Sequence, residues 1–297
     1  FLNNCSGQRP ADYLSKSFEF QPEQDPQKTI AASAYPLFSP NDDSPSLGTL
    51  IVFRDITREV MARNARGEFV AHVAHELKAP LNVLGMYSES LQGEDGDNEE
   101  FRIEAHNVIR DEVERLSDLI GNLLSITKIE MGSLAIDRQR VRLGEMLEDT
   151  FEAVKRGARR DDIKFEIDLP KNISPIVADK ALLRIAVNNL LTNAIKYNRP
   201  DGTVSLSVDE SDGELKICVR DTGIGIEAEE RERVFEKFYR SESEPVRAVR
   251  GHGLGLALAR NIVQLHHGDL AVDSEPGEWT EFTIRLWKDA EAIKLAI

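Results

Sequence analysis

Two long helical stretches, each with a single apolar stripe, constrain the fold of this sequence more than any other feature. In the first, which begins near Glu59, apolar residues recur every three or four positions apart from one longer gap at Ser88. That stripe consists of Phe69, Val73, Leu77, Leu81, Leu84 and Leu91. The second consists of Ile109, Val113, Leu116, Ile120 and Leu123. The acidic, glycine-broken segment 93–100 predicts the turn of a helical hairpin. Because one hairpin cannot cover both stripes, we expect two copies to pair as a homodimer in a four-helix bundle.

Composition and charge exclude several classes of protein. The 297 residues are 41% hydrophobic, which is enough apolar material for two domains or more. The 37 basic and 52 acidic residues give a net charge of -15. Because proteins bind phosphate backbones mainly through Lys and Arg, we expect no nucleic-acid partner. Cys5 and Cys218 lie far apart without His or Cys at metal-ligand spacing. Neither a disulfide framework nor a zinc site is therefore predicted.

The apolar runs are too short for a membrane-spanning helix, which needs roughly 18 to 20 residues. The chain starts at Phe1 without a Met or a signal-peptide pattern. We therefore expect a soluble piece of a longer protein with no membrane contact of its own. Its expected location is the cytoplasm, and the full-length protein could still be anchored in a membrane.

Changes in hydrophobic pattern divide the chain into four segments. Residues 1–58 are turn-rich with one β-rich apolar run, and they predict part of a small β-rich domain. Residues 59–135 hold the helical hairpin, residues 136–288 an α/β sandwich, and residues 289–297 a short helical tail. Within the sandwich, we expect helices near 143–158, 179–197, 227–238 and 254–267 and strands near 163–168, 203–209, 214–221, 269–274 and 280–287.

His75 is the first residue whose setting suggests chemistry. At 100° per residue it points 160° away from Val73 and Leu77, so the imidazole is expected to face solvent. The neighbouring carboxylate of Glu76 could orient one ring nitrogen and raise the basicity of the other, as a nucleophile requires. A solvated surface histidine would give the same pattern, and helical position alone favours that alternative.

A second candidate site combines polar helix residues with two glycine-rich runs. One side of a predicted helix carries Asn189, Asn193, Lys196 and Tyr197, which suit a magnesium ion, phosphates and a base. Asparagines that only cap neighbouring loops would give the same sequence pattern. Residues 221–226 and 251–256 place glycines where backbone N–H groups approach a phosphate. Between them lie an aromatic-basic block, 235–240, and a polar stretch, 241–250, that predicts a mobile cover.

In order, five segments resemble the sequence boxes of the sensor histidine kinases of two-component systems. They are 75–81 (HELKAPL), 189–197 (NLLTNAIKY), 221–226 (DTGIGI), 235–240 (FEKFYR) and 251–256 (GHGLGL). The resemblance covers about 59–288. It implies a dimerisation and histidine-phosphotransfer hairpin followed by an ATP-binding domain of the gyrase, Hsp90, kinase and MutL type. The implied activity is autophosphorylation of His75 from Mg-ATP and transfer of the phosphoryl group to an aspartate of a response regulator. A nucleotide-binding pseudokinase and a related ATPase of this type remain the alternatives.

The resemblance also implies roles for individual residues. His75 would be the phosphorylated nucleophile and Glu76 its base or orienting partner. Asn193 would hold magnesium with Asn189 nearby, while Lys196 meets the phosphates. The remaining positions would bind the nucleotide: Tyr197 packs on the adenine, Asp221 accepts from its amino group, Gly223 and Gly225 shape that pocket, Arg240 reaches the γ-phosphate, and Gly251, Gly253 and Gly255 line the phosphates.

Two further stretches bear on input and on output. Residues 47–57 resemble the last strand of a PAS sensor domain. Asn4-Cys5 resembles the flavin-reactive motif of photosensing PAS domains, but Ser6-Gly7 departs from it, so we expect a free loop cysteine. Many kinases of this type carry Thr or Asn four residues after the histidine to position a water. This chain has Ala79 there, which predicts little phosphatase activity.

Overall fold

The structure is a computed structural model that describes residues 16–37, 48–93, 97–158, 162–211, 213–249 and 251–287. The expected C-terminal helical tail and the Asn4-Cys5 motif lie outside these ranges. The chain forms two compact units, Phe1–Lys78 and Ala79–Ile297.

The described part of the first unit contains a three-stranded antiparallel sheet. Strands β1 (Lys16–Phe20), β2 (Ile30–Leu37) and β3 (Gly48–Asp55) lie in that order. Ala32 lies opposite Phe18 on one side and Phe53 on the other, so these residues share one face of the sheet. The expected β-rich segment is confirmed, and its identity as a PAS domain stays a prediction.

The predicted hairpin helices are confirmed as α1 (Thr57–Ser90) and α2 (Glu99–Glu130). Asn98 caps α2 because its side chain accepts hydrogen bonds from the backbone N–H groups of Glu100 and Phe101. Tyr87 stacks on Phe101 with ring centroids 6.1 Å apart, which joins the two helices near the turn. Helix α1 continues through Pro80, and no helix among the described residues is long and apolar enough to cross a membrane.

The α/β sandwich is also confirmed. Its sheet has five strands in the order β5-β7-β8-β10-β9, with β5 parallel to β7 and the other pairs antiparallel. The elements of this part are β4 (Gln139–Val141), α3 (Leu143–Gly157), β5 (Lys164–Asp168), β6 (Ile176–Ala178), α4 (Lys180–Lys196), β7 (Thr203–Ser211), β8 (Glu214–Asp221), α5 (Glu244–Ala248), α6 (Gly255–Leu265), β9 (Asp269–Glu275) and β10 (Trp279–Trp287). Strands β4 and β6 form a separate two-stranded sheet that the sequence pattern did not predict.

The core of the sandwich lies between one face of the sheet and the helices. Buried residues alternate along β7, β8 and β10, as expected for strands with one covered face. Helix α4 buries an apolar row between the sheet and its neighbours α3 and α6. The core includes Leu183, Leu190, Leu206, Ile217, Leu258 and Ile284, each at most 1% exposed. This packing holds the polar side of α4 and the glycine runs in fixed relative positions.

The predicted helix near 227–238 is wrong. Two single 3₁₀ turns, Ala228–Glu230 and Arg233–Phe235, take its place. The segment is rich in Glu and Arg, which favour helix, but tertiary contacts override that preference. Phe235 is buried and packs edge-on against Phe282 with ring centroids 6.1 Å apart. Phe238 then adopts a left-handed φ of 62° and donates its N–H to the carbonyl of Gly253, so this segment is hydrogen-bonded to the second glycine run.

Candidate functional site

His75 lies on α1 with its side chain 83% exposed. The predicted exposure of the imidazole is therefore confirmed. The Oε1 atom of Glu76 lies 3.9 Å from Nδ1, close enough for an electrostatic interaction and too far for a hydrogen bond. A carboxylate beside Nδ1 favours the tautomer that carries its proton there, which leaves the lone pair on Nε2 for attack.

A cavity of about 1830 Å³ in the second unit brings the other predicted site residues together. Its lining includes Asn189, Asn193, Lys196, Tyr197, Asp221, Gly225, Arg240, Gly251, Gly253 and Gly255. Gly223 does not line the cavity and lies behind it, where a Cβ atom would come within 2.2 Å of the Tyr197 carbonyl oxygen. Both glycine runs and the polar side of α4 thus face one space large enough for a nucleotide.

The polar side of α4 offers groups suited to an anionic ligand. Among the described residues, the buried Nδ2 of Asn189 has no hydrogen-bond partner, which suits a polar ligand or water there. Burial lowers the pKa of Lys196, and the charge of Asp118 opposes that shift, while Arg115 adds to it. The Lys196 ammonium therefore lies among charges of both signs at the cavity wall.

Asp221, the last residue of β8, also lines the cavity. It is 5% exposed, and its Oδ1 accepts a hydrogen bond of 2.9 Å from the N–H of Gly223. Burial raises its pKa to about 7, and the Gly223 hydrogen bond opposes that shift. A buried carboxylate with one oxygen anchored is well placed to accept from an amino group of a planar ligand.

Two glycines in these runs have left-handed backbone conformations and no room for a side chain. Gly225 has a φ of 70°, and a Cβ there would lie 2.3 Å from the carbonyl oxygen of Glu275. Gly253 has a φ of 69°, and a Cβ there would lie 2.8 Å from the backbone of Phe238. Both positions therefore require glycine for conformation and for close backbone approach.

Arg240 joins the aromatic-basic block to the cover segment. Its guanidinium donates to the carbonyl of Gly251 at 2.8 Å, to that of Val246 at 2.6 Å and to that of Val249. Tyr239 beside it donates to the carboxylate of Glu230 at 2.7 Å, and burial together with this carboxylate raises the pKa of the tyrosine to about 12. In this arrangement Arg240 holds the cover segment, and its contact with a γ-phosphate stays a prediction.

His252, between two glycines of the second run, is held neutral. Its Nδ1 accepts a 3.2 Å hydrogen bond from the N–H of Leu254, so the ring proton lies on Nε2. Burial lowers its pKa to about 4, assisted by the positive charges of Lys196, Arg115 and Arg240. The Nε2 atom lies 3.5 Å from the side-chain amide of Asn122 on α2.

Sequence reasoning missed two groups of residues around the cavity. Ser274 is 1% exposed, accepts from the N–H of Ile226 and donates to the carbonyl of Trp279, which fixes the first glycine run on the sheet. A serine within a strand carries no sequence signal for such a role. The polar side of α2 also lines the cavity with Asp111, Arg115, Asp118 and Asn122. Their spacing of four, three and four residues places them on one side of α2, which by itself is equally typical of a solvent-exposed face.

Two protein-family models match the chain. The His Kinase A (phospho-acceptor) domain matches residues 65–132, and the histidine kinase-, DNA gyrase B- and HSP90-like ATPase matches residues 178–290. The chain therefore belongs to the sensor histidine kinases. The exposed His75 lies within the first match, and the ten predicted residues that line the cavity lie within the second.

Individual relatives agree with this family. The chain is 34% identical over 244 residues to the sensor histidine kinase WalK of Bacillus subtilis, covering 80% of this chain and 39% of WalK. It is 34% identical over 222 residues to the sensor-like histidine kinase SenX3 of Mycobacterium tuberculosis, covering 75% of this chain and 54% of SenX3. The chain thus spans about two fifths to one half of these relatives.

A solved structure shares the fold. Histidine kinase ThkA in complex with the response regulator protein TrrA aligns with a TM-score of 0.61 and 19% identity, over 93% of this chain and 80% of that one. At that identity the similarity concerns the fold.

Proposed function

We propose that this chain is a protein-histidine kinase that moves the γ-phosphoryl group of ATP to His75 and then to an aspartate of a response regulator. The observation that carries the proposal is an exposed imidazole beside a carboxylate in the same chain as a polar, glycine-lined cavity. Family membership supports both halves of the reaction.

In the first step, Nε2 of His75 attacks the γ-phosphorus. A phosphorus–nitrogen bond forms, the bond from phosphorus to the bridging oxygen breaks, and ADP leaves with that electron pair. Glu76 then accepts or stabilises the proton on Nδ1 of the resulting imidazolium. In the second step, the phosphorus–nitrogen bond breaks as a carboxylate oxygen of the regulator binds the phosphorus, and the nitrogen keeps the electron pair.

Within the second unit, the cavity residues bind and position the nucleotide. Asp221 accepts from the adenine amino group and Tyr197 packs against the ring. Lys196 and the second glycine run receive the phosphates, which accords with the positive end of α6 beginning at Gly255. Phosphoryl transfer depends mainly on such positioning and on neutralisation of charge.

The cavity also suits a magnesium ion bound together with the nucleotide. In the described ranges, no three His, Cys, Asp or Glu side chains are grouped to hold a metal alone. Magnesium is commonly bound by one or two protein groups together with waters and substrate phosphates. The amide oxygen of Asn193 is the proposed protein ligand, with Asn189 adjacent on the same side of α4. When bound, the ion would neutralise phosphate charge during transfer.

A response regulator is the proposed partner, and the cytoplasm, where ATP is found, is the proposed location. The complex of ThkA with TrrA supports this partner, because ThkA shares the fold of this chain. A pseudokinase would bind ATP without labelling His75, and a related ATPase would release free phosphate. Neither alternative has a use for an exposed histidine paired with a carboxylate.

A homodimer is proposed from the apolar stripes of the hairpin. Within the described single chain, Leu81 is 56% exposed, Val113 49% and Ile120 45%. Large exposed apolar residues repeated along two helices mark an interaction surface, and a second copy would cover them. Ultracentrifugation should give twice the chain mass, and Val113→Glu should shift the equilibrium toward the monomer.

Incubation with γ-labelled ATP and magnesium tests the proposal. The protein should retain label that is acid-labile and alkali-stable, as a phosphohistidine is. His75→Gln should abolish labelling and keep ATP binding, while the matched control His72→Gln, one helical turn earlier, should label normally. Labelling that persists in His75→Gln would contradict the assignment, and its absence from the wild type would favour the pseudokinase.

A further inference from the structure

Helix α2 of the hairpin forms a wall of the nucleotide cavity. Asp111, Arg115, Asp118 and Asn122 line it from that side, facing the polar side of α4 and the second glycine run. Arg115 and Asn122 are seven residues apart, so they lie on one face of α2 and about 10 Å apart along its axis. Asn122 on this face contacts His252, and the charges of Asp118 and Arg115 act on Lys196.

Two contacts hold this face of α2 against the ATP-binding domain. The side-chain amide of Asn122 lies 3.5 Å from Nε2 of His252, the nitrogen that carries the ring proton. Because N and O of an amide are assigned from the hydrogen-bond pattern, this contact is best satisfied with the Asn122 oxygen as acceptor. At the end of α2, the carboxylate of Glu130 pairs with the ammonium of Lys237 in the aromatic-basic block.

Arg115 is the one basic side chain among the described α2 residues that line the cavity, and the acidic ones are Asp111, Glu112, Glu114 and Asp118. Arg115 is 28% exposed, its guanidinium lies 3.5 Å from Glu112, and its positive charge acts on both Lys196 and His252. Arg115 and Lys196 therefore bring positive charge from two walls to one cavity, where both can attract the negative charge of a ligand. Glu112 and Asp118 supply opposing negative charge in the structure as it stands.

We propose that Arg115 binds the phosphates of the nucleotide from the hairpin side, so that the site is shared between the ATP-binding domain and α2. The inference rests on the proposed function and adds a residue outside the five sequence boxes. An arginine at this position presents planar donors to phosphate oxygens. A nucleotide held by both walls would link the hairpin helix to the ATP-binding domain. Binding of the adenine base at Asp221 would not depend on Arg115.

The test compares ATP with adenosine, which has the same base and sugar and no phosphate. Affinities of the full 297-residue chain would be measured by calorimetry for Mg-ATP and by ligand-observed NMR for adenosine. Arg115→Ala should weaken Mg-ATP about tenfold, the scale of a hydrogen-bonded charge, and leave adenosine within about twofold. Arg115→Lys should recover most of the loss. Arg110→Ala is the matched control, because Arg110 is 55% exposed and outside the cavity lining, and it should change neither affinity.

The outcomes separate this inference from the proposed function. Equal losses for ATP and adenosine in Arg115→Ala would show that Arg115 only supports the structure, and no loss for either would show that it does not meet the phosphates. Either result overturns the inference while labelling of His75 in the wild type leaves the proposed function intact. A wild type that binds no ATP would overturn both.

Discussion

Nucleotide binding should depend on pH through Asp221. This carboxyl group is 5% exposed, and burial raises its pKa from 3.8 to about 7. The shift of about three units corresponds to about 4 kcal/mol against the ionised form. An adenine amino group donates its hydrogen bond most strongly to the carboxylate, so the ionised protein is the form competent for binding. Apparent affinity should therefore follow the ionised fraction of Asp221.

The expected size of this effect follows from the pKa. With a pKa of about 7, the ionised fraction falls from about one half at pH 7 to about one tenth at pH 6, so affinity should fall about fivefold. Calorimetric titrations of Mg-ATP from pH 6 to pH 8.5 measure this. The phosphates of ATP also titrate in this range. Titrations of Asp221→Asn measure that contribution alone, because this variant binds the same ATP and lacks the carboxyl group. A wild-type profile parallel to that of Asp221→Asn would refute the reasoning.

The same group should make the nucleotide-free protein less stable as the pH rises. Its folded pKa of about 7 lies above the unfolded value of 3.8, so between these values the folded state binds more protons than the unfolded state. The contribution of Asp221 to stability is therefore lost as pH rises from about 4 through 7. Asp221→Asn should match the wild type in denaturant unfolding at pH 4 and exceed it at pH 8, by up to about 4 kcal/mol. Equal stability at pH 8 would contradict a buried carboxylate.

Three substitutions and one control variant test the glycine run, the Glu76 carboxylate and Ala79. Gly253→Ala should lower Mg-ATP affinity at least about tenfold, because left-handed backbone costs about 1–2 kcal/mol and the added Cβ would meet Phe238. Gly213→Ala, at a φ of 79° with open space around it and outside the cavity lining, should leave affinity unchanged; an equal loss would remove the steric argument. Glu76→Gln should slow autophosphorylation about 100-fold or more at unchanged ATP affinity, because an amide cannot take the proton, and a normal rate would count against that role. The wild type should dephosphorylate its regulator slowly, and Ala79→Thr should be faster in the presence of ADP; rapid decay that the substitution does not alter would show that another group positions the water.

The elements predicted best from sequence are those whose pattern is local and long. Helices α1 and α2 were predicted from three- and four-residue spacing, and the helix predicted near 179–197 is α4, which the structure caps with Asp179. The prediction of a helix over 227–238 was wrong because the burial of Phe235 and the hydrogen bond from Phe238 to Gly253 override the preference of the segment for helix. Contacts of that kind join distant parts of the chain and leave no periodic pattern.

The candidate site shows the same division. Ten predicted residues line one cavity, because residues in short motifs are placed by the strand or helix that carries them. The partners of Arg240 could not be predicted, since they are backbone carbonyls that any residue could supply. The contribution of α2 was also missed, because the polar face of a hairpin helix reads as solvated until the neighbouring domain is placed against it.

Localisation of the phosphoryl group tests the central claim most directly. The chain would be incubated with Mg-ATP, digested at alkaline pH to preserve phosphoramidates, and its peptides analysed by mass spectrometry, with free phosphate measured in parallel. The account predicts one phosphoryl group on the peptide that contains His75, with ADP formed in equal amount. Phosphate on a peptide carrying His106 in place of His75, or ADP and free phosphate without any phosphopeptide, would contradict it.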